Sequence, residues 1–196
     1  MTDPSDIPPR RPSSSTAPVL CLIGPMASGK TTLGRAVARL LGVPFIDTDA
    51  LIVTHHGPIA DIFRDQGESE FRRIETEALH LALDTADMHG GVVATGGGAV
   101  VTAENRRLLH GRFTVYLNID LDTVAPRIER ERNRPLLTEP GAESPVDKWQ
   151  RIMGEREPLY RGTARHLIDV RTGSAAENAE KIVGAYRREH SSLGGT

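Results

Sequence analysis

Cysteine, lysine and long apolar runs are all scarce in this 196-residue chain. The single cysteine, Cys21, rules out a disulfide within one chain. Inside an apolar run it reads as a small buried hydrophobe. That suits a reducing compartment, so a cytoplasmic protein is expected. No apolar stretch reaches the length that crosses a bilayer, so no membrane partner is expected. A formal net charge of −2 leaves no basic field of the kind that gathers nucleic acid. The seven histidines show no metal-ligand spacing, and the adjacent His55 and His56 read as surface residues. No internal repeat occurs. The first residues are rich in proline and serine, carry Asp3 and Asp6, and lack the apolar core of a signal peptide. Residues 1–17 are therefore expected to form a disordered tail. Lys30, Lys148 and Lys181 are the only lysines in a chain that otherwise uses arginine. A lysine at position 30 thus points to a specific task.

That lysine lies in the stretch around which the chain is organised. Val19-Leu20-Cys21-Leu22-Ile23 runs straight into Gly24, and Gly29-Lys30-Thr31 follows. A buried strand, the pattern G-x-x-x-x-G-K-[ST] and then a helical period make up a complete phosphate loop. Gly24 lets the chain turn sharply, and Gly29 lets backbone N–H groups approach a phosphate. Those donors and the helix N-terminus form an anion cradle. Lys30 is placed to reach the β- and γ-phosphates, and the Thr31 hydroxyl to ligate Mg²⁺.

The rest alternates strand and helix, which predicts a doubly wound α/β fold with ligands at the carboxyl ends of the strands. Strands are expected at 19–23, 43–46, 91–94, 112–118 and 165–170. Helices are expected at 30–41, 102–110, 121–130, 145–160 and 175–188. Between 50 and 86 no strand pattern occurs; three helical pieces (50–55, 58–66 and 68–86) form a helical insertion that reads as a substrate flap. Residues 133–147 read as a mobile lid, and 189–196 as a frayed end of a single domain over 18–188.

Several residues carry candidate chemistry. Asp47 and Asp49 stand two apart at a strand end, so in extended chain they point to opposite sides. Asp47 could approach a metal beyond Thr31, while Asp49 could take a proton from a substrate hydroxyl. The alternative is an acidic N-cap favourable to the helix dipole. Arg72 and Glu75, three apart on one helix face, suit either a bidentate carboxylate grip held by Glu75 or an ordinary solvated pair. Gly96-Gly97-Gly98 after a strand is bare backbone that either something approaches closely or that forms a flexible loop. Arg134, with Arg127, Arg130 and Arg132 before it, could bring a cation to a transferring phosphoryl group or line a solvated face. Arg161 is a second candidate grip. Trp149 and Tyr160 read as packing.

Taken together these pieces resemble the shikimate kinases, of the nucleoside-monophosphate-kinase group of phosphate-loop folds. The matching motifs are GPMASGKTT-x-G at 24–34, FIDTDA at 45–50, IADIF at 59–63, EFRRIE at 70–75, TGGGAV at 95–100, RPLL at 134–137 and REPLYR at 156–161, spread over about 19–188. The resemblance implies a three-layer α/β fold with a central five-stranded parallel sheet. It also implies ATP- and Mg²⁺-dependent phosphorylation of the shikimate 3-hydroxyl on the way to chorismate. By the same resemblance ATP lies on Gly24, Ala27, Ser28, Gly29, Lys30, Thr31, Thr32 and Arg134, and Thr31 and Asp47 serve the metal. Shikimate meets Asp49, Gly97, Gly98, the aromatic wall of Phe63 and Phe71, and a carboxylate clamp of Arg72 and Arg161. Lys30, Asp49 and Arg134 act in catalysis, and a monomer is expected. Ala27 departs from the glycine usual at its position, and the segment before Ile59 is one residue short. A gluconate-kinase-like enzyme and a non-catalytic nucleotide-binding regulator are the competing readings. The paired arginines and triple glycine oppose the first, and intact Lys30, Thr31, Asp47 and Asp49 oppose the second.

Overall fold

Strand β1 (Val19–Ile23) lies at the centre of the sheet, flanked on both sides by parallel partners. The others are β2 (Phe45–Asp47), β3 (Gly91–Ala94), β4 (Phe113–Asn118) and β5 (His166–Asp169), in the spatial order β2-β3-β1-β4-β5. A computed structural model describes residues 19–130 and 144–191, the side chains of 129 and 130 apart. The expected tail, Arg134, most of the expected lid and residues 192–196 lie outside them. Among the described residues seven α-helices flank the sheet: α1 (Lys30–Leu41), α2 (Thr48–His56), α3 (Ile59–His89), α4 (Ala103–His110), α5 (Leu121–Arg130), α6 (Pro145–Thr163) and α7 (Ala175–Ser191).

Alternation along β1 builds the layers, because successive side chains leave a strand on opposite faces. Leu20 and Leu22 enter a core with Leu33 and Val37 of α1 and with Ile182 and Val183 of α7. Cys21 and Ile23 enter another with Leu79 and Leu83 of α3, Leu109 of α4 and Tyr160 of α6. Burial at Cys21 pushes its thiol up to about 12, so it is a neutral packing group. A smaller cluster of Ile52, Ile62, Phe71, Ile74 and Ala78 holds the helical insertion together.

Register sets where the site falls. Asp47 is level with Ala94, and Ala94 with Leu22, so the carboxyl ends of β2, β3 and β1 finish side by side. The chain crosses from β3 past β1 to β4, and the strand order reverses there, which is where an open α/β sheet leaves a crevice.

Some boundaries differ from expectation. β2 begins at Phe45, after Pro44, which has no N–H to give the ladder, and it runs on to Asp47. Residues 145–147, expected in the lid, are the first turn of α6, whose N-cap Ser144 accepts the Asp147 N–H at 3.1 Å. Helix α7 continues to Ser191, past the expected end at 188. Helix α3 is two helices joined at Gly67, whose φ of 80° and ψ of 174° no helix contains.

Candidate active site

The loop after β1 is shaped by where its carbonyls go. Lys30 Nζ donates to the carbonyls of Gly24 and Pro25, both at 2.8 Å. The Met26 carbonyl accepts from Trp149 Nε1 at 3.2 Å, and that of Ala27 from Arg127 Nη1 at 2.9 Å. Four successive carbonyls are thus taken by side chains. In trans peptides the N–H groups of Met26 and Ala27 then face the opposite way. Ala27 is the one described non-glycine residue with positive φ, 62°. Gly29, at φ 87°, caps α1 in the left-handed conformation without a side-chain bond, so the first N–H groups of the helix stay available to an anion. These residues line a cleft of about 570 Å³ together with Asp47, Asp49, Thr95 and Gly97. Its far end is formed by Arg127, Val170, Gly173 and Asn178.

Asp47 takes the N-cap position and also reaches Thr31. One carboxylate oxygen caps α2, accepting from the N–H groups of Asp49 (3.1 Å) and Ala50 (3.3 Å). The other accepts from the Thr31 hydroxyl at 2.8 Å. Asp49 stands in the first turn of α2, so the extended-chain geometry expected for the pair does not apply. With Asp47 as the extended N-cap and Asp49 in the first helical turn, both residues line the cleft.

Arg72 and Glu75, one turn apart on the second half of α3, form a buried pair: Nη1 meets Oε2 at 2.7 Å, and Glu75 is 1% exposed. Arg72 also bonds Glu68 at 3.0 Å. Burial raises the Glu75 carboxyl above the usual Glu range. The Arg72 guanidinium opposes that rise, Asp49 adds to it, and Arg156 opposes it. The Arg72 guanidinium lies over the Phe71 ring, 5.3 Å from its centroid, and Phe71 packs tilted against Phe63 with ring centroids 4.4 Å apart.

The triple glycine is explained by these side chains rather than by a ligand alone. A Cβ at Gly96 would lie 2.6 Å from Asp49 Oδ1 and 2.9 Å from Glu75 Oε1. At Gly98 it would lie 2.3 Å from Arg72 Nη1, and at Gly97 3.2 Å from the Met26 nitrogen. The glycine loop is thus the wall on which the phosphate loop, Asp49, Glu75 and Arg72 all converge.

Helix α6 closes the group with a different arginine from the one expected. Arg161 turns outward to Glu157 (2.7 Å) with its side chain 53% exposed, and the structure does not bring it to Arg72. Arg156 Nη1 instead donates to the Gly97 carbonyl at 3.3 Å. Five residues along a helix turn about 140° away, so the two arginines cannot share a face. The buried Tyr160 stands four residues after Arg156, and that spacing was the signal in the sequence that Arg156 points inward. Arg127, on the Ala27 carbonyl, was expected only as a neighbour of Arg134.

A phosphate loop at a parallel-sheet crevice, beside a pocket with buried arginine and carboxylates, defines a phosphate-loop small-molecule kinase. The sequence model of the shikimate kinase family matches residues 26–187. Shikimate kinase of Streptomyces avermitilis is 42% identical over 87% of this chain and 96% of its own length. The crystal structure of shikimate kinase from Acinetobacter baumannii in complex with shikimate superposes with a TM-score of 0.81, at 39% identity over 89% of this chain and 95% of that one. The chain belongs to the shikimate kinase family, and is an ATP-dependent kinase that phosphorylates shikimate. A gluconokinase from Sinorhizobium meliloti has a TM-score of 0.59 at 20% identity, which is a likeness of fold alone.

Proposed function

We propose that this cleft transfers the γ-phosphoryl group of ATP in line to the 3-hydroxyl of shikimate, with the labour divided among its residues. The carrying observation is that Asp49, Glu75 and Arg72 meet on the glycine loop whose other side backs the phosphate loop. An acceptor held there lies next to the phosphates. Lys30 and the N-terminus of α1 hold the phosphates, and Asp49 orients the acceptor hydroxyl and receives its proton. Arg72, braced by Glu75, grips the carboxylate of shikimate together with Arg156.

The Thr31 hydroxyl and Asp47 carboxylate, 2.8 Å apart, are hard oxygen donors that fit Mg²⁺. Mg²⁺ commonly takes one or two protein oxygens and completes its shell with phosphate and water. When bound, Mg²⁺ neutralises charge on the β- and γ-phosphates.

No described helix is long and apolar enough to cross a membrane. We infer a protein of the reducing cytoplasm, since Cys21 is a buried free thiol, and propose that it acts as a monomer. ADP release is to be followed with shikimate, with gluconate and with no acceptor. Turnover with shikimate alone is expected; turnover with gluconate alone, or equal release without acceptor, overturns the assignment.

A further inference from the structure

Tyr160 is 1% exposed, and its ring stacks on Tyr116 with centroids 5.2 Å apart and planes at 15°. Its hydroxyl donates to the Gly97 carbonyl at 2.5 Å, the same oxygen that receives Arg156 Nη1 at 3.3 Å. Burial raises the phenol well above its usual value, so the hydroxyl keeps the proton it donates. The peptide it holds joins Gly97, packed on the Met26 nitrogen, to Gly98, packed on the Arg72 guanidinium. One side of that peptide therefore abuts the phosphate loop and the other abuts the carboxylate grip. Because the peptide is trans, fixing the Gly97 carbonyl toward α6 turns the Gly98 N–H away from α6.

We infer that Tyr160 is a positioning residue for the acceptor: its hydroxyl fixes the tilt of the Gly97–Gly98 peptide, and so the distance between the acceptor subsite and the phosphates. The inference rests on the proposed acceptor site and adds a residue to it. Arg156 holds the same carbonyl at longer range. If Arg156 is drawn to a substrate carboxylate, Tyr160 is the one described side chain left on this oxygen. Its ring is locked by the Tyr116 stack, so the hydroxyl has no freedom to follow a tilting peptide.

Tyr116 supplies the control. Its hydroxyl is buried and has no hydrogen-bond partner among the described residues. Tyr116→Phe and Tyr160→Phe thus remove the same atom from the same stacked pair, but only the second releases Gly97. Steady-state kinetics of the full chain, varying each substrate in turn, are to be compared for both variants. Tyr160→Phe is expected to raise the KM for shikimate about tenfold, with the KM for ATP within about twofold of wild type. Tyr116→Phe is expected to match wild type in both. The inference is overturned if Tyr160→Phe leaves the shikimate KM unchanged, raises both KM values alike, or is reproduced by Tyr116→Phe. Shikimate-dependent turnover by the wild type reads the acceptor assignment; the contrast between the two variants reads the anchor. Should Tyr160→Phe fail to fold, proton exchange in the wild type still decides. The Tyr160 hydroxyl proton is expected to exchange slowly with water and to stay slow with shikimate bound; rapid exchange in the shikimate complex overturns the inference.

Discussion

The two aspartates stand two residues apart and differ in what they touch, so their amide variants should fail differently. Asp47 touches Thr31 and the start of α2, whereas Asp49 lies against the glycine loop. Asp49→Asn keeps the shape but cannot accept a proton. It is expected to lower kcat by roughly 10²–10⁴-fold while MgADP binding stays near wild type. Asp47→Asn is expected to raise the Mg²⁺ concentration needed for half-maximal rate. Identical Mg²⁺ titrations for the two variants would mean one shared metal site. Gly98→Ala drives a methyl to within 2.3 Å of Arg72 Nη1, the far end of a flexible side chain. Arg72 is therefore expected to swing aside, raising the KM for shikimate with little change in Tm. A large fall in Tm with unchanged KM would place the strain in the backbone instead.

Glu75 gives a pH dependence with a definite sign. Its folded value is raised above 4.5, because burial of the charge outweighs Arg72. The stability tied to its protonated form is fully present below 4.5 and is lost as pH rises through the folded value. Glu75→Gln cannot lose that proton. Thermal melts from about pH 4.5 to neutrality should show the Tm difference moving in the variant's favour as pH rises; a constant difference would remove the charge-burial argument. At this scale the sequence was legible where a motif sets the backbone, as at Gly24 and Gly29, both with positive φ. It misled where only a motif's outline was used. REPLYR contains two arginines, and choosing Arg156 over Arg161 needs the helical phase set by the buried Tyr160.

At the scale of elements, patterns in the chain located every described strand to within a few residues, because β1 to β4 are short apolar runs with Gly or Pro close by. The order β2-β3-β1-β4-β5 and its register were not legible, since pairing depends on long-range contacts that no local pattern encodes. The break between the second and third pieces of the insertion was legible through Gly67, whose φ of 80° and ψ of 174° suit glycine alone. That break aims the second half of α3, with Phe71, Arg72 and Glu75, at the glycine loop. A Cβ at Gly67 would meet nothing within 4 Å, so the cost of Gly67→Ala is purely conformational, about 1–3 kcal/mol. Urea unfolding is expected to show that loss together with a raised KM for shikimate and an unchanged KM for ATP. Loss of stability with both KM values intact would show that α3 re-forms its angle without the glycine.

At the scale of the molecule, two subsites share one cleft and one wall. The proposed phosphate subsite is the loop between β1 and α1, and the proposed acceptor subsite lies on α2, α3 and α6, with Gly97 touching both through Met26 and Arg156. Each ligand binds the folded state alone, so each stabilises it by RT ln(1 + [L]/Kd), about 2.7 kcal/mol at a hundredfold excess over Kd. For a chain of this size that is a rise in Tm of roughly 5–10 °C. MgADP and shikimate can be used together without turnover, and their shifts can be read one at a time. Arg72→Ala is expected to abolish the shikimate shift and keep that of MgADP. Lys30→Ala is expected to do the reverse, and to leave the protein folded because Lys30 is only partly buried. In the wild type the shift with both ligands present should exceed the sum of the two separate shifts, because each ligand stiffens the glycine wall for the other. A variant that loses both shifts together would mean that phosphate loop and acceptor pocket open and close as one unit, and the separation of roles drawn from the geometry would fail.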